Sequence, residues 1–141
     1  MSDSIQAPKP VNRSGGIIYI GLAGLFTVCV AVQIFLAGMA IFVDSSHWHD
    51  HIVFVRIFEL FPLLLLIFSF AGKLPNRLRW MSAVIFLLIF AQYFTAHFPG
   101  AGAFHPVIAA VLFWTAVHVT VQAVRIVFPK RQRRKALERD E

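Results

Sequence analysis

The stretch GIIYIGLAGLFTVCVAVQIFLAGMAIFV, residues 16–43, decides the fold. Only Gln33 and hydroxyl side chains interrupt its apolar run, and a helix needs about 20 such residues to cross a bilayer. A basic tail ahead of an apolar block also suits a secretion signal, and Ala37-Gly38-Met39-Ala40 faintly resembles a cleavage site. The block is too long for the apolar region of a signal peptide, about 7–15 residues, so it reads as an uncleaved first span. Composition agrees. The chain of 141 residues is 58% hydrophobic and only 14% charged, whereas soluble domains carry roughly 25% charged residues. A single small membrane domain is expected, with no room for a second. Cys29 is the lone cysteine, so no disulfide framework exists.

Outward from that stretch, three more apolar runs follow at about 52–71, 80–98 and 105–128. Residues 1–15 have no apolar periodicity and read as a disordered tail, and 129–141 reads as a basic tail. Between the second and third runs, Gly72 is expected to stop one helix and Pro75 to open the next link. Pro106 suits a first helical position, where its missing N–H costs nothing. Backbone polar groups in lipid are satisfied only by helices or closed barrels. The expected fold is therefore an all-α, up-down-up-down bundle of four transmembrane helices.

Of the thirteen Lys and Arg residues, all but Arg56 and Arg125 lie in the two tails or in the 72–79 turn. The 44–51 and 99–104 loops have none. Basic residues favour the cytoplasmic side, so both termini are expected in the cytoplasm and the histidine-bearing loops outside. Small residues at Gly21, Gly24, Ala31 and Gly38, with Val28 and Phe35 between them, read as a helix–helix seam.

Those outer loops carry the chemistry. His47-Trp48-His49-Asp50-His51 packs three imidazoles and a carboxylate into five residues, and His97 and His105 map to the same side. His51 opens the second span and His105 the fourth, two helices that lie diagonally across an up-down bundle. Imidazoles facing each other there are placed to ligate a heme iron from both sides. His47, His49 and His51 with Asp50 also make a local candidate for zinc or copper. Against both stands a plainer account, in which interfacial His and Trp side chains anchor helix ends at the headgroups. Asp50 or Gln92 is a candidate to orient a ligating ring.

Deeper groups add to the list. Glu59 lies eight residues past His51, roughly 12 Å down the helix, and intramembrane ionisable residues are functional candidates by default. Arg56 stands at the i,i+3 spacing that lets opposite charges meet, so the two are expected to pair. Gln33 and Gln92 are candidates to bond across helices and, with His51 and His105, to bind the cofactor. His118 sits about 20 Å deeper than His105 and on another side of the helix. With Thr115, Gln122 and Arg125 it is expected to face a partner helix.

Three features together carry a resemblance: Val32-Gln33-Ile34-Phe35-Leu36-Ala37-Gly38, a histidine opening the second span (His51), and His105-Pro106 opening the fourth. Over roughly residues 17–127 the chain resembles one four-helix half of heme A synthase. It is also similar to small, uncharacterised four-span bacterial integral membrane proteins. The resemblance implies heme b held between the histidines of helices two and four, with one bundle here where the synthase has two. Farnesylation chemistry does not carry over.

The expected role is a multi-pass protein of a bacterial inner or plasma membrane that binds heme b, or a metal, for electron transfer or cofactor handling. The alternatives are an accessory or assembly subunit of a membrane complex, or a small proton or ion carrier built on Glu59 and Arg56. No catalytic residue is assigned, and an enzyme is not expected. The bilayer, a membrane-protein partner or a second copy are the expected partners, and nucleic acid is not.

Overall fold

The computed structural model describes residues 11–129. Most of both predicted tails, 1–10 and 130–141, lies outside the described residues. Within them the chain is all helical: α1 (Arg13–Phe42), α2 (His47–Phe58), α3 (Phe61–Ala71), α4 (Asn76–His97) and α5 (His105–Val127), with a 3-10 turn at Ala101–Phe104. Four helical segments are long and apolar enough to cross a membrane: Arg13–Phe42, His47–Ala71, Asn76–His97 and Ala101–Val127. The first histidines stand on the opening turn of α2 rather than in a loop. A turn across 44–46, in which Ser46 N–H donates to Asp44 Oδ1 at 2.7 Å, runs straight into that helix.

The second span is two helices. Pro62 lacks the N–H that would bond the Phe58 carbonyl, and its ring crowds that carbonyl. The ladder accordingly breaks at Glu59 and Leu60 before α3 resumes. Sharp helix kinks at proline have this cause.

Spans pack in a closed ring: α1 against α2 and α3, α3 against α4, and α4 against α5, which returns to α1. Inner residues recur every three or four positions. Tyr19, Ala23, Phe26 and Val30 come from α1, Phe58 and Leu65 from α2 and α3, Leu78, Ile85 and Ile89 from α4, and Leu112, Ala116, Val119 and Ala123 from α5. Large apolar side chains such as Phe35, Phe42, Ile57, Leu60, Trp80 and Trp114 point outward. Such a surface is what lipid solvates, so helix association rests on close packing and interhelical hydrogen bonds instead. Two of these bonds tie the ring together. Tyr19 Oη and Ser82 Oγ meet at 2.7 Å between α1 and α4, and Thr27 Oγ1 and Thr120 Oγ1 meet at 3.2 Å between α1 and α5.

At the basic end, Asn12 N–H donates to the Gly72 carbonyl at 3.0 Å, binding the start of α1 to the end of α3. The stop after α3 differs from expectation. Gly72 keeps an ordinary φ of −74°, and Lys73 takes the left-handed conformation at φ 50°. Leu74 N–H bonds Ser69 O at 3.0 Å and Lys73 N–H bonds Phe70 O at 2.9 Å, the paired bonds of a Schellman cap. Gly72 is glycine for a different reason, its contact with Gly15. The expected seam is also corrected. A Cβ on Gly21 or Gly38 would meet nothing within 4 Å, and Val28 and Phe35 face outward. The true seam of α1 runs through Gly15, Gly16, Tyr19, Ala23, Phe26 and Val30.

Candidate functional site at the histidine end of the bundle

His51 begins the inward face of α2, and His105 is the first residue of α5. Their rings face each other across the bundle with centroids 6.4 Å apart and planes at 59°. Each ring is fixed by a main-chain carbonyl. His51 Nδ1 lies 3.0 Å from Gln33 O on α1, and His105 Nδ1 lies 3.1 Å from Gln92 O on α4. A carbonyl only accepts, so Nδ1 carries the proton in both rings, and each Nε2 keeps its lone pair. Thr95 Oγ1 stands 3.2 Å from His105 Nδ1, and Trp48 packs edge-on to His51 at 5.6 Å.

Glutamine side chains close the cage. Gln33 Nε2 donates to the His51 carbonyl at 2.8 Å, while Gln33 Oε1 is buried without a hydrogen-bond partner among the described residues. Gln92, with its amide oxygen toward Ala109 N–H at 2.7 Å, turns its nitrogen to the His105 ring. Both glutamines therefore serve the histidines twice, through main chain and side chain. That main-chain role is invisible in residue type, because any residue at 33 or 92 has a carbonyl.

The remaining histidines go elsewhere. His47 Nδ1 pairs with Asp50 Oδ2 at 2.8 Å along the first turn of α2. His49 is exposed beside a shallow groove lined by Leu36, Asp50, Val53, Phe54 and Ile57. At 100° per residue His49 lies about 200° around the helix from both His47 and His51, so the three do not converge. Among the described residues no group of three or more His, Cys, Asp or Glu side chains is arranged to hold a metal ion. Asp50 is thus engaged by His47 rather than by a ring of the facing pair. His97 donates from Nδ1 to Tyr93 O at 2.8 Å and stacks on the Tyr93 ring. His118 has Arg77 of α4 at 3.5 Å, a long contact, and Thr115 bonds Val111 O of its own helix.

Arg56 and Glu59 do not form the expected ion pair. Arg56 points out from the bundle, and the one ion pair among the described residues is His47–Asp50. Glu59 turns inward at the helix break and accepts a hydrogen bond from the Tyr93 hydroxyl of α4. Tyr93 had no signal in the sequence beyond being a phenol in an apolar run.

Residues 33–101 match a family of unknown function (DUF6220). The matched stretch opens at Gln33, takes in His51, Glu59, Gln92 and Tyr93, and closes before His105. No curated protein and no solved structure matches the chain.

Proposed function

We propose that this protein binds heme b between His51 and His105 and serves electron transfer or cofactor handling at the outer membrane face. The observation that carries the reading is the facing pair itself, both rings held at Nδ1 by main-chain carbonyls, with the Gln92 side-chain nitrogen 3.2 Å from His105 Nε2. Metal-bound histidines almost always give their other ring N–H to such a partner, which fixes tautomer and orientation. The centroid separation of 6.4 Å is on the order of two imidazole–metal bonds of about 2 Å each plus the reach of each ring. The orphaned Gln33 Oε1 beside this pair is a further polar atom awaiting a partner. Heme, when bound, would supply a one-electron couple. His51 and His105 would hold the iron through their rings, a ligand pair suited to electron transfer rather than oxygen binding. Gln33 and Gln92 hold the rings, and the apolar helix faces around them exclude water. The resemblance to one half of heme A synthase points the same way.

The membrane orientation belongs to this proposal. Eleven basic residues in the two tails and the 72–79 turn support cytoplasmic termini, with the helices running up-down-up-down and the histidine pair outside. An absorbance spectrum of detergent-purified protein, expressed with ample heme, tests the function. His51→Ala or His105→Ala abolishes the low-spin spectrum, and His118→Ala leaves it intact. A wild-type protein with no Soret band overturns the proposal.

One observation favours a second reading, an accessory subunit of a membrane complex. Arg56 projects from the bundle surface within a span and has no ion-pair partner among the described residues. A carboxylate on a neighbouring membrane helix would satisfy it.

A further inference from the structure

Glu59 is the midpoint of the candidate span His47–Ala71. A charged carboxylate at the centre of a bilayer is costly, and an ionised one offers about four lone-pair sites to be satisfied. Here one hydrogen bond is on hand, from Tyr93. The nearest cation is Arg56, one helical turn away and close enough for its charge to reach Tyr93, but it makes no ion pair with Glu59. Arg56, on the same helix, faces outward, and no Lys, Arg or His nitrogen lies within 4 Å of Glu59 among the described residues. The titratable groups on the elements packed around this level are Tyr93 and His97 of α4, Cys29 of α1 and His105 of α5. None of them is a fixed positive charge. The break at Glu59 and Leu60 adds polar backbone to the same place, because Pro62 leaves the Phe58 carbonyl without its helical donor.

The surroundings are asymmetric. Toward the histidine end, Tyr93 lies under the His97 ring, with centroids 6.3 Å apart and planes 18° from parallel, and His97 is exposed. Toward the basic end, the core closes with Phe58 edge-on to Phe26 at 5.9 Å, and with Leu65, Ile85 and Ile89 buried behind them. The inner hydroxyls beyond it are engaged: Thr27 and Thr120 bond the Ala23 and Ala116 carbonyls, Ser69 bonds Leu66 O, and Tyr19 and Ser82 bond each other. The Phe26–Phe58 layer itself carries no hydroxyl.

We infer that Glu59 is a proton-binding site in the middle of the second span, exchanging with the histidine side through the Tyr93 hydroxyl and closed to the basic side. The carboxylate takes up one proton to become the neutral acid. Tyr93 relays by giving its proton to Glu59 and accepting another from the water side, so no electron moves. The site stands whether or not heme is bound.

Infrared spectroscopy of the full-length protein in lipid nanodiscs tests this through the carboxylic-acid C=O band. An ordinary glutamate is ionised above about pH 4.3. The expected result is a protonated carboxyl that persists at about pH 7, where ordinary carboxyls are ionised, and that disappears in Glu59→Gln. Tyr93→Phe keeps the ring and the band, and it slows proton exchange after a pH jump by at least about tenfold. A wild-type spectrum without that band at neutral pH overturns the site. An unchanged exchange rate in Tyr93→Phe overturns the route.

Discussion

A Cβ on Gly15 would lie 2.7 Å from Gly72 Cα and 2.9 Å from Gly72 N, and both neighbours are main chain that cannot swing aside. Gly15→Ala should therefore force α1 off the end of α3, at about 1–3 kcal/mol, the usual cost of overpacking. Gly21 sits on the same helix, and a Cβ there would meet nothing within 4 Å. Gly21→Ala should be neutral or stabilising by up to about 1 kcal/mol through helix propensity alone. Thermal unfolding of the two variants in one detergent measures the contrast, and equal shifts would contradict this account of the seam. Asp44, in the turn before α2, shows a residue-scale effect of pH. Hydrogen bonds from Ser46 hold its carboxyl below the usual carboxylate range. A lowered folded-state value means that this contribution is present above the ordinary carboxylate range and is lost as pH falls.

At the level of elements, the second span owes its shape to Pro62. Pro62→Ala restores the N–H facing the Phe58 carbonyl and lets α2 and α3 join into one helix. The turn that swings Glu59 toward Tyr93 is then lost. Spin labels on Ser45→Cys and Lys73→Cys, in a Cys29→Ala background, report the end-to-end length of this span. The expected outcome is a longer distance in Pro62→Ala than with Pro62 in place. An unchanged distance would mean that packing against α1 and α4, rather than proline, sets the bend.

For the whole molecule, the ring of spans places five of its six histidines at one end, while Arg77, Arg79 and Lys73 stand at the other with His118 nearby. The outward apolar side chains face lipid in between. In intact cells, a membrane-impermeant maleimide should label Ser45→Cys from outside without permeabilisation. Labelling that requires permeabilised cells would reverse the orientation and move the histidine pair to the cytoplasmic face. Because the rings are held by four different helices, heme ligation should also raise the thermal midpoint of the intact bundle. His51→Ala should lose that gain, since a ligand stabilises only the folded state that binds it.

The sequence by itself determined four membrane-length helices, because run length and the absence of charge are one-dimensional properties. It also singled out His51, His105 and Glu59, because ionisable groups at or within apolar runs stand out whatever their partners. Only the tertiary structure decided the partners. Arg56 and Glu59 have the spacing of a pair, yet Arg56 faces outward while Glu59, three residues before Pro62, bonds Tyr93. Gly21 and Gly38 share the spacing of a seam with Gly24, yet of the three only Gly24 approaches another helix, at Thr120, because α1 is rotated so that Tyr19, Ala23 and Phe26 fill the core. Rotation about a helix axis depends on what the other helices bury. Where every face of a helix is apolar, periodicity cannot encode it.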